Sequence, residues 1–251
     1  MIEPLLRYVA QTQSTNDDVM ALISAHTPHG TAIYAGAQSG GRGRQGRAWV
    51  SPPGANLALS VAIMGESWAP LLRLVPLAVG VAMAGVIERT CGVEVGLKWP
   101  NDLYLSDKKI GGILCEGVHA GTRFLGAVAG VGVNLNMSAE HLPEEVRAVA
   151  TSVLDVSGKE TPLDAFAMAA HRAILDELEA LRSGGKKALL DGFSARDISK
   201  GRTVEILATG KFGTASGVDR DGGLIVRFSD GSAQTLHSGE VHLLRKSPQA
   251  T

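Results

Sequence analysis

Gly40-Gly41-Arg42-Gly43-Arg44-Gln45-Gly46-Arg47-Ala48-Trp49-Val50-Ser51-Pro52-Pro53 is the stretch on which the fold turns. Glycines at 41, 43 and 46 satisfy the spacing G-x-G-x-x-G. In a doubly wound nucleotide-binding domain that spacing joins a strand to a helix. A helix cannot follow here, because Trp49-Val50-Ser51 runs into Pro52-Pro53 and proline removes a backbone donor and collides with the preceding turn. No Gly-Lys-Ser/Thr closes the motif either, which excludes a Walker loop. Disordered Arg/Gly segments that bind RNA usually repeat and lack apolar flanks, whereas this one occurs once, between strand-like runs. What remains is an ordered loop presenting backbone N–H groups and the guanidiniums of Arg42, Arg44 and Arg47 to a carboxylate or phosphate.

Working outward, Thr31 to Ala37 and Asn56 to Met64 read as strands on either side of the loop. Upstream, Gln13-Ser14-Thr15-Asn16-Asp17-Asp18 precedes Val19, Met20, Leu22 and Ile23. Ser14 or Thr15 can cap a helix there, with Asp17 and Asp18 favoured in its first turn. Downstream, Leu71 to Cys91 is predicted as a helix with Pro76 near its start. Its apolar run contains Arg73 and Pro76 and ends at Glu88-Arg89, so a buried helix fits better than a membrane span of about 20 apolar residues. Gly96 to Asp102 is a strand end entering a turn. Leu103 to Leu105 and Ile110 to Glu116 flank Ser106-Asp107-Lys108-Lys109 in a hairpin pattern. Phe124 to Asn136 is apolar and glycine-rich, as a central buried strand would be. Pro162 is expected in the first turn of a helix over Leu163 to Leu181, and a shorter helix covers Lys186 to Phe193.

The pattern changes after Ala195. Thr203 to Leu207, Gly213 to Val218, Leu224 to Phe228, Ala233 to Leu236 and Val241 to Leu244 are short strands separated by turns. They predict a small five-stranded SH3-like barrel. With the boundary between Ser194 and Arg202, the chain divides into 1–195 and 196–251 and is α+β.

The 251 residues carry 24 basic and 25 acidic side chains, so nothing in the overall balance predicts affinity for nucleic acid or membrane. Any basic site must be local. Cys91 and Cys115 form no C-x-x-C pair and are expected to be buried, reduced thiols of a cytoplasmic protein. Met1 to Val9 shows no cationic start followed by an apolar run, and hence no signal peptide.

Three further segments carry chemistry, each with an ordinary structural alternative. Lys98-Trp99-Pro100-Asn101-Asp102 places a lysine at a strand end, either as a point charge for phosphate or as a solvated residue beside a core tryptophan. Ser14-Thr15-Asn16 either caps a helix or also offers the helix start to a polar ligand. Gly130-Val131-Gly132-Val133-Asn134 admits close approach of a ligand or of another backbone.

Taken in order, S-T-N, G-R-G-R-x-G-R, K-W-P-N-D and G-x-G-x-N resemble the biotin–protein ligase family across most of the first 190 or so residues. The chain has Gln45 in the variable slot of the Arg/Gly loop, where some members carry another arginine. The resemblance implies a mixed-sheet catalytic domain similar to class II aminoacyl-tRNA synthetases, followed by an SH3-like barrel. It implies a ligase that joins biotin to ATP as biotinyl-5′-adenylate, with Mg²⁺, and then transfers biotin to a lysine of a biotin carboxyl carrier domain. By the same resemblance Arg42, Arg44 and Lys98 are the catalytic candidates. Ser14, Thr15, Asn16, Gln38, Gly41, Arg42, Gly43, Arg44, Lys98, Gly130 and Gly132 are assigned to biotin. Arg44, Arg47, Trp49, Lys98, Asn101 and Asn134 are assigned to ATP. No metal ligand is assigned. The competing activities are a lipoate–protein ligase and a non-catalytic biotin-binding module. Thirteen residues precede Ser14, too few for a helix-turn-helix domain, so specific DNA binding is not expected. Monomer and homodimer are both open.

Overall fold

The computed structural model describes residues 5–244. In chain order the elements are β1 (Leu6–Val9), α1 (Thr15–Ser24), β2 (Ala32–Ala35), β3 (Asn56–Met64), α2 (Val75–Cys91), β4 (Gly96–Lys98), β5 (Asp102–Leu105), β6 (Lys108–Ala120), β7 (Arg123–Asn134), α3 (Glu144–Arg147), α4 (Val153–Ser157), α5 (Leu163–Arg182), α6 (Lys186–Ser194), and then β8 (Thr203–Ile206), β9 (Lys211–Val218), β10 (Leu224–Arg227), β11 (Ala233–Leu236) and β12 (Val241–Leu243). Strands β1 to β7 form one mixed sheet in the order β1-β2-β3-β7-β6-β5-β4. Only β1 and β2 are parallel; the other neighbours are antiparallel.

The period of two along a strand decides what faces the site. On β3, Leu57, Leu59, Val61 and Ile63 join the main core with Leu77, Val79 and Met83 of α2 and Ile174 and Leu178 of α5. The alternate residues look the other way, where Ala62 packs with Val19 and Ile23 of α1. Ser60 therefore faces α1. The register pairs Ser60 with Gly130 and Ala58 with Gly132 on β7, and Gly130 and Gly132 with Leu114 and Gly112 on β6. One half of one sheet face thus lies under α1, lined with glycine and polar residues.

Strands β8 to β12 form an antiparallel sheet in the order β11-β10-β9-β8-β12, a meander whose last strand returns beside its first, as in SH3-like barrels. Val204, Ala215, Leu224, Val226 and Val241 continue the same core as α2 and α5. The indole N–H of Trp99 donates to Gly222 O at 2.9 Å. Leu97 N–H donates to Arg196 O at 2.8 Å and Ile198 N–H to Leu97 O at 3.0 Å. Arg196 also pairs with Glu88 at 2.7 Å.

Several expectations shift at their edges. Strand β1 was not anticipated; its two outward residues, Arg7 and Tyr8, hide the alternation. The helix expected from Leu71 starts at Val75, because Glu66–Leu71 winds first into a 3₁₀ turn containing Pro70. Pro162 is the residue before helix α5, with ψ 115°, rather than part of its first turn. The helices α3 and α4, four and five residues long, are too short for the apolar pattern to announce. Both cysteines are free and only partly buried. Among the described residues no helix is long and apolar enough to cross a membrane.

Candidate active site

Helix α1 begins over the glycine face of β7, and Ser14 occupies its N-cap without a side-chain cap bond. Thr15 N–H donates to Gln38 Oε1 at 2.9 Å, and the Thr15 hydroxyl lies 3.2 Å from the same oxygen. The buried Ser60 hydroxyl donates to Asn16 Oδ1 at 2.6 Å and lies 2.8 Å from Thr15 Oγ1. Asn16 Nδ2 donates to Glu116 Oε2 at 2.7 Å. Ser14, Thr15 and Asn16 are at most 5 % exposed, so each of these polar groups needs a protein or ligand partner.

Gly130 has a specific reason to be glycine. A Cβ there would stand 2.0 Å from Asn16 Oδ1. At Gly132 a Cβ would stand 2.6 Å from the Trp49 indole, so the ring lies directly on the β7 backbone. Trp49 Nε1 is buried with no hydrogen-bond partner among the described residues.

The Arg/Gly loop is a tight hairpin. Gly43 N–H donates to Arg47 O at 2.7 Å and Trp49 N–H to Gly41 O at 2.9 Å. Gln45 and Gly46 both have positive φ, 57° and 72°. The three arginines have different partners. Arg42 grips Asp17 through both nitrogens, one bond at 2.7 Å, with Glu116 at 3.7 Å. Those hydrogen bonds, opposed by partial burial, push the arginine upward and hold Asp17 below the usual carboxylate range. Arg44 donates to Asn101 Oδ1 at 3.1 Å and to Gly239 O at 3.0 Å. Arg47 pairs with Glu240. The loop thus bridges the catalytic sheet and the turn before β12.

A cavity of about 320 Å³ connects these groups. At one end lie Ser14, Thr15, Asn16 and Gln38; across the middle run Trp49, Gly130 and Gly132; at the other end stand Arg44, Arg47, Asn101, Asp102, Lys109 and Glu240. Arg42, Gly43 and Asn134 also line it, whereas Gly41 and Lys98 do not. Gly41 sits behind the wall, bonded to Trp49. Lys98 is only 12 % exposed and lies 3.8 Å from Asp102. Burial pushes its ammonium below the ordinary lysine value, against the pull of Asp102. Asn134 donates to Thr151 O at 3.0 Å, tying the end of β7 to the segment before α4.

Sequence reasoning missed four contributors. Ser60 and Glu116 are single polar residues inside apolar strands. Lys109 reads as part of a hairpin turn, yet its ammonium meets Asp102 at 2.6 Å. The apolar wall of Leu142, Pro143, Val146, Val149 and Ala150 has no motif at all.

A half-polar, half-cationic cleft under a glycine-rich hairpin, on a mixed sheet followed by a small barrel, suits a ligand with a polar head and an anionic end. Residues 8–134 match the model of the biotin/lipoate A/B protein ligase family, and residues 201–244 match the biotin protein ligase C-terminal domain. The chain belongs to the biotin/lipoate A/B protein ligase family. It is 31 % identical over 249 residues to the biotin–acetyl-CoA-carboxylase ligase of Mycobacterium tuberculosis, covering 96 % of this chain and 89 % of that one. It is 32 % identical over 216 residues to the bifunctional ligase/repressor BirA of Escherichia coli, covering 85 % of this chain and 66 % of that protein. The structure of the Aquifex aeolicus biotin protein ligase in complex with biotin and ATP superposes with a TM-score of 0.84 at 27 % identity, covering 98 % of this chain and all of that one.

Proposed function

We propose that the chain activates biotin with ATP to biotinyl-5′-adenylate and transfers the biotin to a lysine of a biotin carboxyl carrier domain. The observation that carries this is the continuous cavity with a hydrogen-bonding end and a cationic end. A ureido ring needs a few fixed donors and acceptors in an otherwise apolar pocket, and Ser14, Thr15, Asn16 and Gln38 supply them. The dithiolane ring of lipoate has no N–H or carbonyl to exchange hydrogen bonds with such groups, which favours the ureido ring. The tail lies along Gly130, Gly132 and Trp49.

In the first half-reaction a carboxylate oxygen of biotin bonds to the α-phosphorus of ATP, and pyrophosphate leaves with the electron pair of the broken P–O bond. Both reactants are anionic, so fixed positive charge lowers the barrier. Arg44 and Lys98 provide it, Asn101 holds Arg44 in place, and Arg47 is committed to Glu240. Arg42 stands at the biotin end, with its guanidinium committed to Asp17. Among the described residues no group of three His, Cys, Asp or Glu could hold a metal, and Asp102 and Glu240 already meet cations. We therefore give Mg²⁺ no protein ligand and take it to arrive on the ATP phosphates, its usual manner of binding. In the second half-reaction the acceptor's lysine amine attacks the acyl carbon and AMP leaves. The protein supplies no nucleophile; burial pushes the Cys115 thiol up to about 12.

We further assign residues 1–195 to catalysis and 196–251 to a domain that fixes the Arg/Gly loop through Gly239 and Glu240. The enzyme acts in the cytoplasm, as a monomer or homodimer. The test is mass spectrometry of a biotin carboxyl carrier domain incubated with this protein, biotin and Mg²⁺-ATP. A gain of one biotin is expected; no gain, with intact folded protein, overturns the proposal.

A further inference from the structure

We propose that Glu116 is a positioning residue: it sets the direction of the hydrogen bonds that run through Asn16, Ser60 and Thr15 at the polar end of the cavity. The inference rests on the biotin-binding reading above and deepens it, by naming what fixes the donor and acceptor pattern that the ring meets.

The sheet register places Glu116. Gly112, Leu114 and Glu116 alternate onto one face of β6, and Glu116 stands opposite Val128 of β7. Val128 packs with Val19 and Ile23 of α1, so Glu116 lies beside that helix. Its Oε2 accepts from Asn16 Nδ2 at 2.7 Å, and its Oε1 lies 3.7 Å from Arg42.

Two groups in this cluster have no choice of role. A carboxylate only accepts, and a backbone N–H only donates. From Glu116 the consequences run inward. Asn16 must turn its NH2 group toward the carboxylate, where Leu114 O is a second acceptor at 3.4 Å. Its Oδ1 then faces Ser60 at 2.6 Å, so the Ser60 hydrogen is committed to Asn16. That leaves the Ser60 oxygen to accept from Thr15, 2.8 Å away. The Thr15 hydrogen goes to this oxygen or to Gln38 Oε1 at 3.2 Å. In both cases it is spent within the protein.

From the other side, Thr15 N–H claims Gln38 Oε1 at 2.9 Å, which leaves the Gln38 NH2 group as a donor. Thr15, Asn16 and Gln38 all line the cavity. A ligand there meets acceptor lone pairs on Thr15 and Asn16 and a donor on Gln38. That pattern complements a ureido ring, which has two N–H donors and one carbonyl acceptor. Thr15 and Asn16 are buried, so a ligand of the wrong polarity leaves them unpaired, at the cost of an unmade buried hydrogen bond. Without Glu116 the Asn16 amide is free to turn over. It then donates to Ser60, the Ser60 hydrogen passes to Thr15, and Thr15 can offer its own hydrogen to the cavity.

The test is calorimetric binding of biotin and of a biotin analogue whose two ring N–H groups are replaced by oxygen. Wild type should prefer biotin by roughly tenfold or more. For Glu116→Leu, affinity for biotin should fall roughly tenfold, while the analogue loses about threefold or less, so that the preference collapses. Retained binding of the analogue also shows that the variant is folded. Glu116→Gln, whose amide oxygen can accept from Asn16, should keep the wild-type preference. Equal losses for the two ligands in Glu116→Leu, as general structural damage produces, overturn the proposal. So does an unchanged affinity for biotin in that variant, or a lost preference in Glu116→Gln. If wild type binds no biotin at all, the biotin-binding reading fails first and takes this proposal with it.

Discussion

Replacing Gly130 with alanine tests the glycine face of β7 against a neighbour whose position is known. The new methyl would stand 2.0 Å from Asn16 Oδ1 and 2.8 Å from its Cγ, far inside contact distance. Asn16 cannot turn away freely, because it is 5 % exposed and held by Ser60 at 2.6 Å and Glu116 at 2.7 Å. The protein must either carry the overlap, at about 1–3 kcal/mol for overpacking, or release Asn16. Release costs about 1 kcal/mol for the neutral bond and about 1.5–3 for the bond to a carboxylate. The cheaper route sets the cost, so the expected loss is about 1–3 kcal/mol in urea unfolding, with weaker biotin binding by calorimetry. Asn16→Ala should itself cost about 1–3 kcal/mol through the bonds it removes. The double variant discriminates: once Asn16 is truncated, the alanine methyl fits the vacated space, so the double should be close to Asn16→Ala alone. That is a favourable coupling equal to the Gly130→Ala loss, about 1–3 kcal/mol, measured as a double-mutant cycle. A loss below about 1 kcal/mol for Gly130→Ala, or simple additivity in the double, would refute the reasoning.

Two other outcomes follow from the site and its connection to the barrel. Burial depresses Lys98, so its charged form gives way to the neutral amine as pH rises through a value below that of ordinary lysine. Pyrophosphate exchange should therefore fall on its alkaline limb early, and Lys98→Arg should move that limb upward; an unmoved limb removes Lys98 from the charge balance. Trp99→Phe removes the bond to the buried Gly222 carbonyl and should cost about 1–3 kcal/mol in urea unfolding; wild-type stability would show that the link between the two sheets lies elsewhere.

Much of this arrangement is legible in the sequence where residue type and spacing coincide. The prolines after Trp49 rule out a helix, and the strand, hairpin and barrel patterns follow from apolar alternation and turn residues. Motifs mark the two ends of the cavity. What stays hidden is set by register. Ser60 reads as one hydroxyl in an apolar strand; only the pairing of β3 with β7 puts it under α1, beside Asn16. Lys109 sits in a polar run that suits a solvated turn, and a single-residue bulge, which no composition announces, brings it to Asp102. In the wall from Leu142 to Ala150 the apolar residues Leu142, Val146, Val149 and Ala150 do fall at helical spacing, but the segment is nine residues long and only Glu144–Arg147 becomes helix, too short for the pattern to mark it. Trp99 lies inside a motif, yet its indole points away from the cavity and bonds the loop before β10.

The three arginines of the loop are the sharpest case of a distinction that spacing cannot make. Arg42, Arg44 and Arg47 look equivalent in G-R-G-R-x-G-R, and each is suited to an anion. In the fold, Arg42 is held by Asp17 with Glu116 beside it, and Arg47 is paired with Glu240. An arginine whose charge is already met by a carboxylate gains less from an arriving phosphate, because that phosphate must compete with the existing partner. Arg44 is bonded to neutral acceptors, the Asn101 amide and the Gly239 carbonyl, which orient the guanidinium without neutralising it. The unspent charge of the loop is therefore concentrated on Arg44, at the same end as Lys98 and Lys109. Arg42 fixes the loop's first arm to α1 through Asp17, and Arg47 fixes its second arm to the barrel through Glu240. The hairpin is anchored on both sides of Arg44, and releasing Arg47 from Glu240 would free the second arm while leaving Arg42 in place.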